Sequence, residues 1–140
     1  MKAANKAHIK VFIPILLSLC FIALFAGPVK AQEKGSKIVF KETTHDFGKV
    51  EEGAELMYEY KFTNGGNENL VILKVQASCG CTGASIGEKT EYKKDETGKI
   101  KVTFDTTGKV GEQLKTVVIQ SNDRGNPSQA LSFTCEVVAK

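Results

Sequence analysis

Along much of the chain, apolar and polar residues alternate with a period of two. Leu56, Tyr58, Tyr60 and Phe62 fall on one side, and Met57, Glu59, Lys61 and Thr63 on the other. Successive side chains of a strand point to opposite faces, so this stretch predicts a strand with one buried and one wet face. The pattern recurs at Ile100, Val102 and Phe104, separated by Lys101 and Thr103. It recurs again at Leu131, Phe133, Cys135 and Val137, with Ser132, Thr134 and Glu136 between them. Val117 and Ile119 lead a further strand, and Lys37 to Lys41 is a short β-rich run read as the first. Leu70 to Ala77 is nearly continuous in apolar residues. That predicts either a strand covered on both faces or a bulge near Lys74 that changes the phase.

Between these runs lie strong turn signals. Asn64-Gly65-Gly66-Asn67 and Ser121-Asn122-Asp123-Arg124-Gly125-Asn126-Pro127 are rich in residues that accept positive φ or fix a bend. Phe47 and Val50 are expected to plug the core, with Gly48 at a bend between them. Gly83 to Glu96 is polar and reads as loop, anchored by Ile86 and Tyr92. No helical i, i+3, i+4 pattern occurs after Ala31. Short strands with regularly spaced turns predict an all-β, immunoglobulin-like β-sandwich of about seven antiparallel strands. The expected core residues are Phe47, Tyr60, Phe62, Phe104, Phe133 and Cys135.

The first 31 residues break this pattern. Lys2, Lys6 and Lys10 precede an apolar run from Val11 to Ala26, and Val29-Lys30-Ala31 then leads into Gln32-Glu33. This predicts a secretory signal peptide over residues 1–31, cleaved after Ala31. The run is shorter than the roughly 20 residues a spanning helix needs, so no membrane span is expected after cleavage. Cys20 lies within the run, but Leu19 is not the small residue that precedes a lipidated cysteine. Residues 32–36 read as a short polar lead-in and residues 37–140 as the domain. The expected location is periplasmic or secreted.

The leader also changes the charge. Four of the nineteen basic residues and none of the sixteen acidic ones lie before Gln32, leaving fifteen basic against sixteen. The net charge of +3 therefore belongs to the leader, and nothing in the balance supports a nucleic-acid partner.

Chemistry concentrates at Ser78-Cys79-Gly80-Cys81-Thr82. Three readings of the two thiols stand side by side. They could bridge each other: residues two apart on a strand are roughly 6.5–7 Å apart, the upper edge of disulfide reach, and Gly80 lets the chain kink. They could be weak candidates for a soft metal, although four-coordinate zinc would have only Cys135 and His45 besides. They could also be reduced thiols in a tight loop. Cys135 falls in phase with Phe133 and Val137 and reads as a buried free thiol. It is expected two strand spacings from Cys79, beyond disulfide reach.

Phe62-Thr63-Asn64-Gly65-Gly66, Leu70-Val71-Ile72 and Val75-Gln76-Ala77-Ser78-Cys79-Gly80-Cys81-Thr82 together resemble a family of exported bacterial proteins. It is catalogued as a domain of unknown function, number fifteen-seventy-three. Asp46-Phe47-Gly48 upstream and Ile100 to Phe104, Gly108 and Ser121-Asn122 downstream extend the match. The resemblance implies an immunoglobulin-like sandwich and export, with no assigned activity or catalytic residue. The chain departs from the family at Lys93-Lys94-Asp95-Glu96, where Pro-Gly is common.

No base stands beside a nucleophile in the sequence after Ala31, where His45 is the only histidine. The expectation is a non-catalytic interaction or structural module, without a cofactor, that meets a protein or cell-envelope partner. The alternative is a thiol–disulfide or soft-metal-handling protein using Cys79 and Cys81.

Overall fold

A computed structural model describes residues 34–140. The expected signal peptide, its cleavage site and Cys20 lie outside the described residues. The described chain forms nine strands: β1 Ile38–Phe40, β2 Thr44–Glu51, β3 Glu55–Asn64, β4 Leu70–Ala77, β5 Thr82–Ser85, β6 Glu91–Tyr92, β7 Thr97–Asp105, β8 Gly111–Ser121 and β9 Ser128–Val138. They make a four-stranded sheet, β1-β3-β7-β5, and a five-stranded sheet, β2-β9-β8-β4-β6. Successive strands change sheet at every step from β1 to β8, and only β8 and β9 are chain neighbours within one sheet.

One core lies between the sheets. Tyr60, Phe62, Ile100, Val102 and Phe104 come from the four-stranded sheet. Leu70, Ile72, Val117, Ile119, Leu131, Phe133, Cys135 and Val137 come from the five-stranded one. The buried positions follow the period-two pattern, because burial of one face is what sets strand register. Phe104 and Phe133 meet across the core with ring centroids 5.4 Å apart. Phe47 is half-buried against the same cluster, edge-on to Phe133 at 5.6 Å. Gly98 faces inward opposite Phe62, and a Cβ there would run into the rings of Phe62 and Tyr92.

The fold is all-β, but it differs from the expected seven antiparallel strands in three ways. First, two short strands, β5 and β6, interrupt the loop expected over 83–96. Thr82, Gly83, Ala84 and Ser85 are too small to show a hydrophobic alternation, yet they pair with Phe104, Thr103, Val102 and Lys101 of β7. Gly83 suits that position because a Cβ would collide with the Thr103 hydroxyl. Second, β2 is a strand in its own right and pairs with β9 in parallel. The chain changes sheet between Phe40 and Thr44, so β2 arrives running in the direction of β9. Its register slips between Asp46 and Lys49, where Gly48 takes a φ of 68°. Third, β8 begins at Gly111, earlier than the Val117-Ile119 pair.

The ambiguity at β4 resolves as a bulge. Its register against β8 shifts between Ile72 and Lys74, which turns Leu73 out to solvent at 66% exposure. Leu70 and Ile72 before the shift and Val75 and Ala77 after it then reach the same core.

Candidate functional site

The corner where β4 leaves the five-stranded sheet and β5 joins the four-stranded one carries the cysteines. Residues 78–81 form a turn instead of extended strand, and Cys79 and Cys81 are joined by a disulfide with their Cα atoms 5.4 Å apart. The turn replaces the roughly 6.5–7 Å of an extended chain with a spacing inside the ordinary disulfide range. Both cysteines are half-buried. Their surroundings differ. Cys81 packs against the hydrophobic core, and its carbonyl accepts a hydrogen bond from the Asp105 amide at 3.2 Å. Cys79 lies outside that cluster, with its Sγ 3.3 Å from Thr82 Oγ1. A disulfide sulfur has no proton, so in this state the hydroxyl is the donor. The Thr82 amide donates to the Cys79 carbonyl at 3.2 Å and closes the turn.

Two charged residues stand level with this corner on the strand ladders: Asp105, whose amide bonds to Cys81, and Lys115 on β8. The Ser78 amide donates to the Thr116 carbonyl, which puts Cys79 level with Lys115 on β8. Lys115 shares the inward phase of Val117 and Ile119, and its Nζ lies 5.6 Å from the centroid of the Phe104 ring. Phe104 is the register partner of Thr82. Sequence reading placed Thr82 in this stretch without giving it a role, and missed Lys115 as a residue level with the corner. Thr82 belongs to a signature that reads as a turn, and Lys115 reads as a solvated lysine until β8 is extended back to Gly111.

Cys135 is free and buried, and burial pushes its thiol pKa up. With both other sulfurs in the disulfide, no thiolate pair remains for a soft metal in this state. Among the described residues, no group of three or more His, Cys, Asp and Glu side chains gathers at metal-binding distance. His45 is spent on aromatic packing: its ring stacks on Tyr58 at 3.5 Å and meets Phe47 edge-on at 4.6 Å. The Tyr58 hydroxyl donates to Glu42. Tyr60, buried beneath, donates to the Ser132 carbonyl at 2.8 Å, and burial pushes its phenol pKa up to about 12.

A second surface feature lies on the outer face of the four-stranded sheet. Lys61 and Lys99 are direct cross-strand partners. The Lys41 amide bonds to the Lys61 carbonyl, which continues the row onto the β1 side. Three lysines thus stand side by side across neighbouring strands, with Lys101 two residues further along β7. Lys99 is bonded to Glu59 at 2.9 Å. Like charges placed directly opposite one another repel, and the Glu59 carboxylate offsets that repulsion at Lys99. It borders an open groove of about 610 Å³ lined by Val39, Lys41, Lys61, Thr63, Thr97 and Lys99, among others.

An all-β domain of two facing sheets, with a disulfide at a sheet-to-sheet corner, is the class that this geometry defines. The sequence profile of the family described as "Protein of unknown function (DUF1573)" matches residues 38–137, and the chain belongs to that family. No curated protein matches it. Among solved structures, a protein of unknown function from Porphyromonas gingivalis W83 is similar at 17% identity and a TM-score of 0.65. That match covers 79% of this chain and 51% of that one. The secreted serine protease VesC from Vibrio cholerae matches at 15% identity and a TM-score of 0.54, over 83% of this chain and 26% of its own. The chain thus spans about half the length of the first and about a quarter of the second. A PapD-like (ASH) domain of human CEP192 matches at 10% identity and a TM-score of 0.58, over 83% of this chain and 96% of that domain. At these identities the likeness is one of fold. Among the described residues, no helix is long and apolar enough to cross a membrane.

Proposed function

We propose that this is an exported, immunoglobulin-like sandwich domain that works as a non-catalytic interaction module. Its partner is an acidic polymer of the cell envelope, docked on the outer face of the four-stranded sheet. The observation that carries the reading is the row of Lys41, Lys61 and Lys99 beside an open groove. A folded domain gains nothing from packing like charges in adjacent strands. An anionic chain laid along the groove would turn that repulsion into attraction. The near-balanced charge of residues 32–140 makes the row a local feature, so the attraction is confined to one face. Export rests on the basic, apolar and small-residue order of the first 31 residues. The sandwich reading is supported by the likeness to the CEP192 domain, which is covered almost entirely. The non-catalytic reading is supported by the fate of His45, whose ring stacks on Tyr58 and meets Phe47 edge-on.

The test is binding of the purified mature chain to polygalacturonate, with neutral dextran as control, across a salt series. Retention on the acidic polymer alone, weakening steeply with salt and abolished in Lys61→Glu, supports the proposal. Salt-insensitive binding, or a Lys61→Glu variant that binds as well as the parent, would sink it.

A further inference from the structure

We propose that the Cys79–Cys81 pair is a thiol–disulfide exchange site for cysteines of another exported protein. Cys79 is the sulfur that bonds to the partner, and Cys81 is the one that resolves. This does not rest on the lysine face, which lies on the outside of the four-stranded sheet.

Three observations assign the roles. The first is the asymmetry of burial. Cys81 packs on the core and its carbonyl is tied to Asp105, whereas Cys79 is outside the core cluster. A partner's sulfur therefore reaches Cys79 with less displacement of packed side chains. The second is the polar environment of Cys79. The Thr82 hydroxyl, 3.3 Å from its Sγ, can donate to a thiolate as it does to the disulfide. A hydrogen-bond donor favours the thiolate, which is the reactive form. The third is the spacing. With a sequence separation of 2, the resolving thiol is held next to any mixed disulfide on Cys79. The closed loop is also so small that the cross-link gains little from loop-closure entropy. Such a bond is easier to reduce than one that closes a long loop.

The chemistry balances without a further reagent. In the reduced protein the Cys79 thiolate attacks one sulfur of a partner disulfide, forming a Cys79–partner bond and releasing the partner's other sulfur as a thiolate. Cys81 then loses its proton to solvent and attacks the Cys79 sulfur. The Cys79–Cys81 bond closes and the partner's second thiolate leaves. The pair gives up two electrons, and the partner disulfide takes them up to become two thiols. The reverse sequence oxidises a partner dithiol. Cys135, buried and free, takes no part.

The experiment equilibrates the purified mature protein in glutathione redox buffers and reads each cysteine by alkylation and mass spectrometry, with circular dichroism to confirm folding. The pair should reduce reversibly in these buffers with the fold retained. In the reduced protein at pH 7, Cys79 should alkylate at least about tenfold faster than Cys81, as thiolate character dictates. Cys81→Ser should trap a glutathione adduct on Cys79, and Cys79→Ser should trap none on Cys81. Thr82→Val should slow Cys79 severalfold and Thr82→Ser should restore it. A pair that stays oxidised throughout, or one in which Cys81 reacts as fast as Cys79, would overturn the assignment. Should Thr82→Val not fold, the two single cysteine variants still decide it.

Discussion

The two ends of the sheets are closed by different means. At the end where β3 and β8 finish and β4 and β7 begin, buried polar side chains tie the loops together. Asn64 is fully buried and uses all four of its hydrogen-bonding positions. Its Oδ1 accepts from the amides of Lys37 and Gly66, and its Nδ2 donates to the carbonyls of Glu68 and Tyr92. Asp123, also buried, accepts from the amides of Ile38, Gly125 and Asn126. Ser36 is bonded to Asn122, whose Oδ1 also accepts from the Val71 amide. At the opposite end, Thr106 bonds the Glu51–Ala54 turn, and the β4–β5 corner is held by a covalent cross-link over one glycine. The polar end is over-determined, because each buried group leaves an unsatisfied partner if removed. The cysteine end is held by one disulfide, whose Cys81 packs against the core.

The largest effect should come from breaking the polar end. Asn64→Ala removes four bonds and leaves buried amides and carbonyls unpaired, at a cost of about 3–5 kcal/mol in urea unfolding. Amide exchange should speed up across Gly65 to Asn69 and at Lys37 in the same variant. A loss below about 1 kcal/mol would mean that the network is replaceable by water and the two ends are alike.

Between the ends, Tyr60 reports on the core they enclose. Its pKa of about 12 in the folded protein stands above the ordinary value near 10, so folding favours the neutral phenol. The resulting stability is fully present below about pH 10 and is lost as the pH rises towards 12, amounting to about 2–3 kcal/mol. Ultraviolet titration should show one tyrosine ionising about two units late, and Tyr60→Phe should remove it.

Opening the cysteine end should cost less. Cys79→Ser with Cys81→Ser removes a cross-link that closes only a very small loop and should shift unfolding by no more than about 1–2 kcal/mol. Cys135→Ser should cost as much or more, because it places a hydroxyl in the apolar layer beside Phe133 and Val137. A double variant that fails to fold would reverse the comparison and make the corner the stronger end.

The smallest effect is one the ends share. Glu96, at the polar end, is held below the ordinary carboxylate range by its hydrogen bond from Lys89 and by the Lys93 amide. Asp105, at the other, is lowered by the hydroxyl and amide of Thr107. Each contributes stability above its unfolded pKa, lost as the pH falls through its folded one. Both are exposed, so carbon-detected carboxylate titration should find a lowered pKa at each without separating the ends in stability.

The strands that were legible carry large side chains. Tyr60 and Phe62 on β3, Val102 and Phe104 on β7, and Leu131 and Phe133 on β9 are all buried, and the alternation that reveals them follows from the two-residue repeat of an extended chain. The strands that were not legible carry small side chains. Gly83 and Ala84 on β5 have too little apolar surface to mark a face, and only pairing with β7 makes them a strand. The Ser78-Cys79-Gly80-Cys81-Thr82 signature located the candidate site, since two thiols one glycine apart are visible in any fold. The sequence could not choose among disulfide, metal and free thiols, because that depends on a Cα distance set by a turn.

By itself, then, the sequence determined the all-β class, the outward and inward faces of the long strands, and the place where chemistry concentrates. All three follow from local periodicity and residue type. The tertiary structure alone decided which strands became neighbours. Lys61 and Lys99 each point outward by their own alternation, but only the β3–β7 register sets them opposite each other. Lys115 lies far along the chain from Cys79, and only the β4–β8 pairing brings it level with the disulfide. Parallel pairing of β2 with β9 needs the chain to change sheets after Phe40. Such long-range choices rest on burying both inner faces at once, a condition that no single stretch of sequence contains.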